Sequence, residues 1–177
     1  SEIHAIIPYY SFGRSDKKDA PRISITARLV ADLLKTSGAT HVMSMMFHSP
    51  QVHGFFRIPT DPLSSRPVFG KHLENRDMSG MIIVSPDMGQ AKSAARFAKS
   101  LDLPVAAGNK ERVSDTEVRI SGLVGNQVQG HKRALIYDDE IATGGSIAEL
   151  TRLLISEGVE DIMVMCTHGV FTHGGLE

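Results

Sequence analysis

Apolar residues occur along the chain in short, nearly continuous runs, and these runs alternate with longer segments of helical periodicity. Continuous apolar runs bounded by turn residues are typical of strands that are covered on both faces of a parallel sheet. Six runs predict strands at Ile3–Pro8, His41–Phe47, Met81–Ser85, Val105–Ala107, Arg133–Asp138 and Ile162–His168. We expect the first of these to be a buried strand.

The intervening segments have the 3.6-residue periodicity of amphipathic helices. The first runs from Ser24, a candidate N-cap, to Gly38, where glycine favours termination. Its core-facing residues are predicted to be Ile25, Leu29, Leu33 and Leu34. Two further helices are predicted over residues 89–101 and 146–158. Alternation of strand and helix predicts an α/β fold with mostly parallel sheets flanked by helices.

A change of composition at Pro59–Pro67 predicts a domain boundary. This stretch contains three prolines and two serines, which favour turns over regular structure. We expect two α/β units, residues 1–65 and residues 66–177. The sequence starts at Ser1 without an initiator methionine and ends soon after its last predicted strand, so we expect it to be part of a longer polypeptide.

Composition and charge exclude several functional classes. The chain has 177 residues, of which 41% are hydrophobic and 22% charged, so it can form a core and does not resemble a disordered segment. Its net charge of −1 gives no general attraction for nucleic acid or an anionic membrane, and any anion site must be local. A single cysteine, Cys166, excludes an internal disulfide framework and fits a reducing cytosol. We find no apolar run of the roughly 20 residues that cross a membrane.

The segment Leu135–Ile147, LIYDDEIATGGSI, contains the densest candidate chemistry. Asp138 and Asp139 close a predicted strand, and ligands of parallel sheets bind where strands end. Thr143–Ser146 offers hydroxyls, flexible glycines and the backbone amides of a helix N-terminus, which attract phosphate. The carboxylates suit sugar hydroxyls or hydrated Mg²⁺. The plainer alternative is a turn with two solvated aspartates and Ser146 as a helix cap.

The decapeptide YDDEIATGGS resembles the phosphoribosyl-pyrophosphate-binding loop of the type I phosphoribosyltransferase fold. PYYSFGRSDKKDAPRISITARLVADLL, HSPQVHGFFRIPTDPL, VSPDMG and NKER resemble, in the same order, segments of the ribose-phosphate pyrophosphokinase family. The resemblance covers nearly the whole chain. It implies two similar phosphoribosyltransferase-like units, with the chain starting inside the first and stopping inside the second. It also implies transfer of the diphosphoryl group of ATP to the 1-hydroxyl of ribose 5-phosphate, with Mg²⁺ as cofactor.

Roles for individual residues come from the same resemblance. It implies ATP-binding roles for Arg14, Ser15 and His48, Mg²⁺ binding by His48 and Asp87, and catalytic roles for Lys110 and Arg112. The ribose 5-phosphate site would comprise Arg112, Asp138, Asp139, Ala142, Thr143, Gly144, Gly145 and Ser146. Taken singly, most of these residues also fit ordinary surface positions, and we expect Lys110 and Arg112 on a polar loop after the strand at Val105. We interpret Cys166 and the strand methionines as packing residues.

Several positions depart from the family pattern. Ser15 replaces the usual Gln, Met46 and Ala142 replace aspartates, and Glu111 replaces a basic residue. A catalytically silent, ligand-binding paralogue is therefore the first alternative function. A phosphoribosyltransferase that consumes the product is the second, although RSDKK and HSPQVHGFF argue against it. The resemblance further implies a cytoplasmic homo-oligomer, a dimer or hexamer, and no nucleic-acid or membrane partner.

Overall fold

The computed structural model describes residues 1–112, 118–125, 128–172 and 175, and for residues 110–112, 118 and 119 it describes the backbone. The chain divides into two compact units, Ser1–Ser65 and Arg66–Glu177. The division falls within the proline-rich stretch Pro59–Pro67. Within the described residues, no helix combines the length and the hydrophobicity needed to cross a membrane.

The first unit is built on three parallel strands in the order β1-β2-β3. Its elements are β1 (His4–Ile7), α1 (Thr26–Thr36), β2 (His41–Met45), a 3-10 helix (Pro50–Phe55) and β3 (Thr60–Leu63). The small core is aromatic, because Tyr10, Phe47 and Phe56 pack with ring centroids 5.5 to 5.6 Å apart. The Tyr10 hydroxyl donates a hydrogen bond of 2.7 Å to the Ala27 carbonyl, which ties this cluster to α1.

Two expectations for the first unit are wrong. Strand β1 is not buried: it pairs on one side with β2, and Ile6 is 70% exposed. In α1 the buried residues are Ala27 and Ala31, whereas Leu29 and Leu33 are each more than half exposed. Small side chains on the inward face let the helix approach the core closely, so the leucines turn away from it.

The second unit is a five-stranded sheet in the order β6-β5-β4-β7-β8. Its strands are β4 (Met81–Ser85), β5 (Val105–Arg112), β6 (Val118–Gly125), β7 (Arg133–Ile141) and β8 (Asp161–Gly169). Its helices are α2 (Arg66–Leu73), α3 (Ala91–Ser100) and α4 (Gly145–Ser156). All neighbouring strands are parallel except β5 and β6. The predicted α/β class is confirmed, while β3, β6 and α2 were not anticipated.

The core of the second unit lies on both faces of the sheet. On one face, Ile82 and Ile136 pack with residues of α4. On the other, Ile83 and Leu135 pack with residues of α2 and α3. All four side chains are fully buried, and each such burial stabilises the fold by roughly 1.5–3 kcal/mol. Strands β4 and β7 are therefore the rigid base on which the loops at their carboxyl ends are built.

Candidate functional site

The carboxyl ends of three neighbouring strands meet at one edge of the second unit. Strand β4 is parallel to both β5 and β7, with Ser85 opposite Ala107 and Val84 opposite Ile136. The turn containing Asp87 follows β4, and Thr143–Ser146 follows β7. This edge is where parallel sheets ordinarily bind ligands.

The two aspartates lie inside β7, not at its end. The strand continues to Ile141 because β8 extends alongside it, with Cys166 opposite Asp138 and His168 opposite Glu140. The expectation that Asp138 closes the strand is therefore wrong by three residues. Asp139 is buried, at 5% exposure, and its backbone N–H donates a hydrogen bond of 2.8 Å to Oδ1 of Asp138.

Burial and neighbouring negative charge favour the protonated form of Asp138. Loss of hydration is the largest of the causes that raise the pKa of this carboxyl to about 8, and the charge of Asp139, a side-chain hydrogen bond with Asp139 and the charge of Asp87 act in the same direction. The hydrogen bond from the Asp139 backbone amide lowers the pKa in part. These effects favour the protonated form of Asp138, and Asp87 is close enough for its charge to contribute. The pKa of the Cys166 thiol is also raised, by burial and by Asp138, which does not favour a nucleophilic role.

The loop after β7 is shaped by glycine. Gly144 has φ of +77° and caps α4, which begins at Gly145, one residue earlier than the sequence predicts. The Gly145 amide donates a hydrogen bond of 3.5 Å to the Thr143 hydroxyl. The first amides of a helix lack acceptors within the helix, and the partial positive charge of the helix N-terminus attracts anions.

A segment after β8 braces this loop, and sequence reasoning missed it. The Thr172 amide donates a hydrogen bond of 2.9 Å to the Ala142 carbonyl. A Cβ atom at Gly175 would lie 2.5 Å from the Ala142 carbonyl oxygen and 3.2 Å from the Thr143 carbonyl carbon. Only glycine fits here without moving the loop. The glycine pair in THGGLE is a sequence signal for a close backbone contact, but the loop that it contacts lies about thirty residues earlier in the chain.

Asp87 is held by the turn that leads into α3. Its Oδ1 accepts a hydrogen bond of 3.1 Å from the Gln90 amide, and its carbonyl accepts one of 2.9 Å from the Ser85 hydroxyl. Strand β5 passes close to this turn, since a Cβ at Gly108 would lie 2.5 Å from the Pro86 carbonyl oxygen. Glycine at position 108 therefore lets β5 approach the acidic cluster.

Lys110 and Arg112 belong to β5, which corrects the expectation of a polar loop. They pair with Ile120 and Val118 of β6, and the register shifts between Asn109 and Lys110. The antiparallel partner extends β5 beyond the end of β4, because the β4–β5 pairing stops at Ala107.

In the first unit, Ser15 has a structural role that the sequence did not suggest. Its hydroxyl accepts a hydrogen bond of 3.1 Å from the Thr26 amide and donates one of 2.9 Å to the Ser24 carbonyl. Its carbonyl accepts a bond of 3.2 Å from the Ala27 amide. The N-cap residue of α1 is Ile25, without a side-chain cap, so Ser24 is not the cap. Ser15 satisfies the start of the helix instead.

The loops that carry Arg14 and His48 are tied together within the first unit. Asp16 is 7% exposed and accepts a short hydrogen bond from the Ser49 hydroxyl. A Cβ at Gly13 would lie 3.8 Å from His48, so the two loops are in contact. Arg14 and His48 are both exposed.

Met46 occupies a backbone conformation that suits aspartate better. Its φ is +43°, and asparagine and aspartate tolerate this left-handed region better than methionine does. The Ser65 hydroxyl donates to the Met46 sulfur over 3.3 Å. The departure from the family pattern is therefore accommodated by a local contact.

The oxygen donors near β7 suit a partly hydrated metal. Among the residues that the structure describes, no group of three or more His, Cys, Asp or Glu side chains is arranged to hold a metal ion. Mg²⁺ prefers oxygen ligands and usually keeps several waters, with one or two carboxylates and substrate phosphates completing its shell. Asp87, the predicted carboxylate ligand in the second unit, fits this pattern. His48, the other predicted ligand, lies in the first unit.

Comparisons with known proteins show which family the chain resembles. Residues 1–38 match the family model for the N-terminal domain of ribose phosphate pyrophosphokinase. The chain is 48% identical over 177 residues to the ribose-phosphate pyrophosphokinase of Deinococcus radiodurans, covering 99% of this chain and 55% of that protein. A putative ribose-phosphate pyrophosphokinase of Streptomyces coelicolor is 48% identical over 174 residues, covering 98% and 54%. The chain thus spans about half the length of these relatives.

A solved structure shows the same relationship in three dimensions. The phosphoribosylpyrophosphate synthetase of Mycobacterium smegmatis is 38% identical and superimposes with a TM-score of 0.87. The match covers 99% of this chain and 56% of that one.

The raised pKa of Asp138 predicts a pH dependence of stability. Because the folded-state value of about 8 exceeds the ordinary 3.8, the stabilising contribution of this group is fully present below pH 3.8 and is lost as the pH rises through about 8. We expect Asp138→Asn to be insensitive to this loss. The thermal midpoint of the variant minus that of the parent chain should therefore increase from pH 5 to pH 9. Calorimetry at the two pH values measures the gain, and a constant difference would contradict the assignment.

The close approach at Gly175 predicts an asymmetric response to alanine. Gly175→Ala forces a Cβ against the Ala142 carbonyl and should cost about 1–3 kcal/mol of unfolding free energy, as overpacking does. Gly70→Ala, in α2, is the matched control, because a Cβ there meets nothing within 4 Å and alanine favours helix. Urea unfolding should show the first variant destabilised and the second unchanged or stabilised. Equal effects would show that the segment does not brace the loop.

Proposed function

The chain belongs to the ribose-phosphate pyrophosphokinase family, and we propose on that premise that it carries the ribose 5-phosphate site of a ribose-phosphate diphosphokinase. The proposed reaction transfers the diphosphoryl group of ATP to the 1-hydroxyl of ribose 5-phosphate. Its products are 5-phosphoribosyl 1-pyrophosphate, a precursor in nucleotide biosynthesis, and AMP. The observation that carries the proposal is the acid pair of β7 followed directly by the amide-rich loop Thr143–Ser146 at the start of α4.

The loop supplies donors for the 5-phosphate. Gly144, in its left-handed conformation, exposes the first amides of α4, and the hydroxyls of Thr143 and Ser146 lie on the same short segment. The partial positive charge of the helix N-terminus favours a phosphate there. The brace at Gly175 holds the loop in this shape before ligand arrives, so little ordering is needed on binding.

The acid pair supplies partners for the ribose hydroxyls. A protonated Asp138 can both donate and accept a hydrogen bond, while Asp139 adds a second carboxyl beside it. Retaining one proton also reduces repulsion between the acidic cluster and the incoming phosphates. Ala142 contributes no side-chain acceptor, and its carbonyl accepts a bond from the Thr172 amide, so the contact with sugar falls to the two aspartates.

Asp87 is the first proposed ligand of Mg²⁺, and phosphate oxygens and water would supply most of the remaining ligands. When bound, the ion supplies neutralisation of phosphate charge and orientation of the reacting oxygens. Asp87 is suited to this role because the Gln90 amide fixes its carboxylate. His48 is the second ligand that we propose, together with a contact to ATP.

Lys110 and Arg112 are the proposed catalytic residues. Diphosphoryl transfer depends on alignment and on stabilisation of charge on the moving group, which cationic side chains provide. Strand β5 carries both positions past the end of β4, towards the edge where the acidic cluster lies. In the first unit, Arg14 is the proposed phosphate or base contact. The hydroxyl of Ser15 is engaged at the start of α1, so Ser15 would act mainly by positioning its neighbour.

A second candidate function is a silent paralogue that binds ligand without turnover. Met46 and Ala142 each lack a carboxylate that the family usually has, and both positions are stabilised by other contacts. We further propose that the protein is cytoplasmic and assembles as a homo-oligomer, a dimer or hexamer, in keeping with its family.

Binding of ribose 5-phosphate tests the site itself. We expect isothermal titration calorimetry to show saturable binding that weakens about tenfold in Ser146→Ala, the loss of one hydrogen bond to a charged group. Ser79→Ala is the matched control, since Ser79 is an exposed serine elsewhere in the second unit and should leave affinity unchanged. Equal affinity in both variants would contradict the assignment of the loop.

Release of AMP tests catalysis. In a polypeptide of the relatives' full length that contains this chain, ATP, ribose 5-phosphate and Mg²⁺ should yield AMP, and Arg112→Ala should lower kcat by about 100-fold or more. Arg96→Ala, at an exposed position of α3, is the control and should retain activity. Binding of ribose 5-phosphate without AMP release would select the silent paralogue.

A further inference from the structure

The chain makes a strained turn directly after β8, at residues 169–172, which we call the hook. Phe171 has φ of +48°, in the left-handed region. A bulky side chain is rare in that region, because its Cβ atom comes too close to the backbone carbonyl. Such conformations persist only where surrounding contacts hold them, and they cluster at functional sites. The contacts of the hook therefore indicate what the strain maintains.

The aromatic ring of Phe171 lies on Gly169. A Cβ atom at Gly169 would lie 2.2 Å from Cε2 and 2.6 Å from Cζ of the ring, and the three atoms nearest to it all belong to this ring. Gly169 does not have a positive φ, so its backbone would accept alanine if the ring were absent. The ring is 39% exposed and does not fill the core of the second unit. Its close contact is thus with the glycine at the end of β8.

The backbone of the hook fixes the end of β7 and the residue after it. The amides of Val170 and Phe171 both donate to the Ile141 carbonyl, over 2.9 and 3.1 Å. The Thr172 amide donates to the Ala142 carbonyl over 2.9 Å. In an extended strand successive amides point in opposite directions, so three consecutive donors converge on two consecutive carbonyls only because the chain turns. These carbonyls come directly before the loop that is proposed to bind phosphate.

We propose that Phe171 is a positioning residue for the loop Thr143–Ser146. The ring on Gly169 holds the left-handed turn, the turn directs its amides to the end of β7, and the loop consequently starts in a fixed direction. An ordered loop loses less conformational freedom when a ligand binds, which raises affinity. This inference rests on the proposed function, because it assigns the fixed direction to binding of the 5-phosphate. The close approach at Gly175 is a separate contact.

Hydrogen exchange tests the hook without any ligand. Phe171→Ala removes the ring and leaves the left-handed turn unfavourable, so the Thr172 amide should exchange about tenfold faster or more than in the parent chain. Gly169→Ala should have the same effect by displacing the ring. Ile155→Ala truncates an apolar side chain of α4 that is 59% exposed, and as the control it should leave this amide unchanged. Unchanged exchange in Phe171→Ala, or an equal increase in Ile155→Ala, would overturn the proposal.

A double-mutant cycle tests whether the ring and the glycine act as a pair. In calorimetry, Gly169→Ala and Phe171→Ala should each bind ribose 5-phosphate about tenfold more weakly than the parent chain. Gly169→Ala made in the Phe171→Ala background should weaken binding by less than about twofold more, because its methyl group then has space. Additive losses would contradict the pairing. Absence of binding in the parent chain would refute the proposed function, whereas equal affinity in the parent chain and both variants would refute only the role of Phe171.

Steady-state kinetics separate positioning from a loss of fold. In a polypeptide of the relatives' full length that contains this chain, Phe171→Ala should raise KM for ribose 5-phosphate about tenfold and leave kcat and KM for ATP within about twofold. Partial unfolding would instead lower kcat, because less of the enzyme would be active. A lower kcat with an unchanged KM for ribose 5-phosphate would therefore contradict a positioning role.

Discussion

Strand β7 lies between β4 and β8 in a sheet covered on both faces, and this position forces Asp138 and Asp139 to share a poorly hydrated space. Burial and the neighbouring carboxylate disfavour ionisation of both groups, and the pKa of Asp138 is raised to about 8. A hydroxyl or cation that binds beside this pair would offset part of the cost, next to the loop where we propose that phosphate binds.

Close backbone contacts complete the edge around the acid pair. Gly108 lets β5 approach the turn that holds Asp87, and Gly175 lets the segment after β8 press on the carbonyl of Ala142. Gly144 turns the chain into α4. The candidate site is thus built around glycines on three separate segments. At Gly108 and Gly175 neighbouring backbone leaves no space for a side chain, and at Gly144 the positive φ favours glycine.

Sequence patterns predicted the buried centre of the second unit well and its edges poorly. Continuous apolar runs located β4 within its observed bounds, because a strand buried on both faces has little freedom of composition. The same pattern gave a wrong prediction at Ile3–Pro8, because an edge strand with an exposed Ile6 has the same apolar sequence pattern as a buried strand. Motif resemblance identified the loop Thr143–Ser146, whereas its brace at Gly175 depends on a contact between distant segments that no local pattern encodes. The length of β5 was missed for the same reason, since its pairing with β6 sustains it.

We propose that the amides at the start of α4 bind the phosphate of a sugar phosphate while the neighbouring acids bind its hydroxyls. Backbone NMR of the chain during titration with ribose 5-phosphate can follow these amides one by one. We expect saturable shifts at the amides of Gly144, Gly145 and Ser146, with much weaker effects from ribose that lacks the phosphate. Unmoved amides at saturating ribose 5-phosphate, or equal shifts with plain ribose, would contradict it.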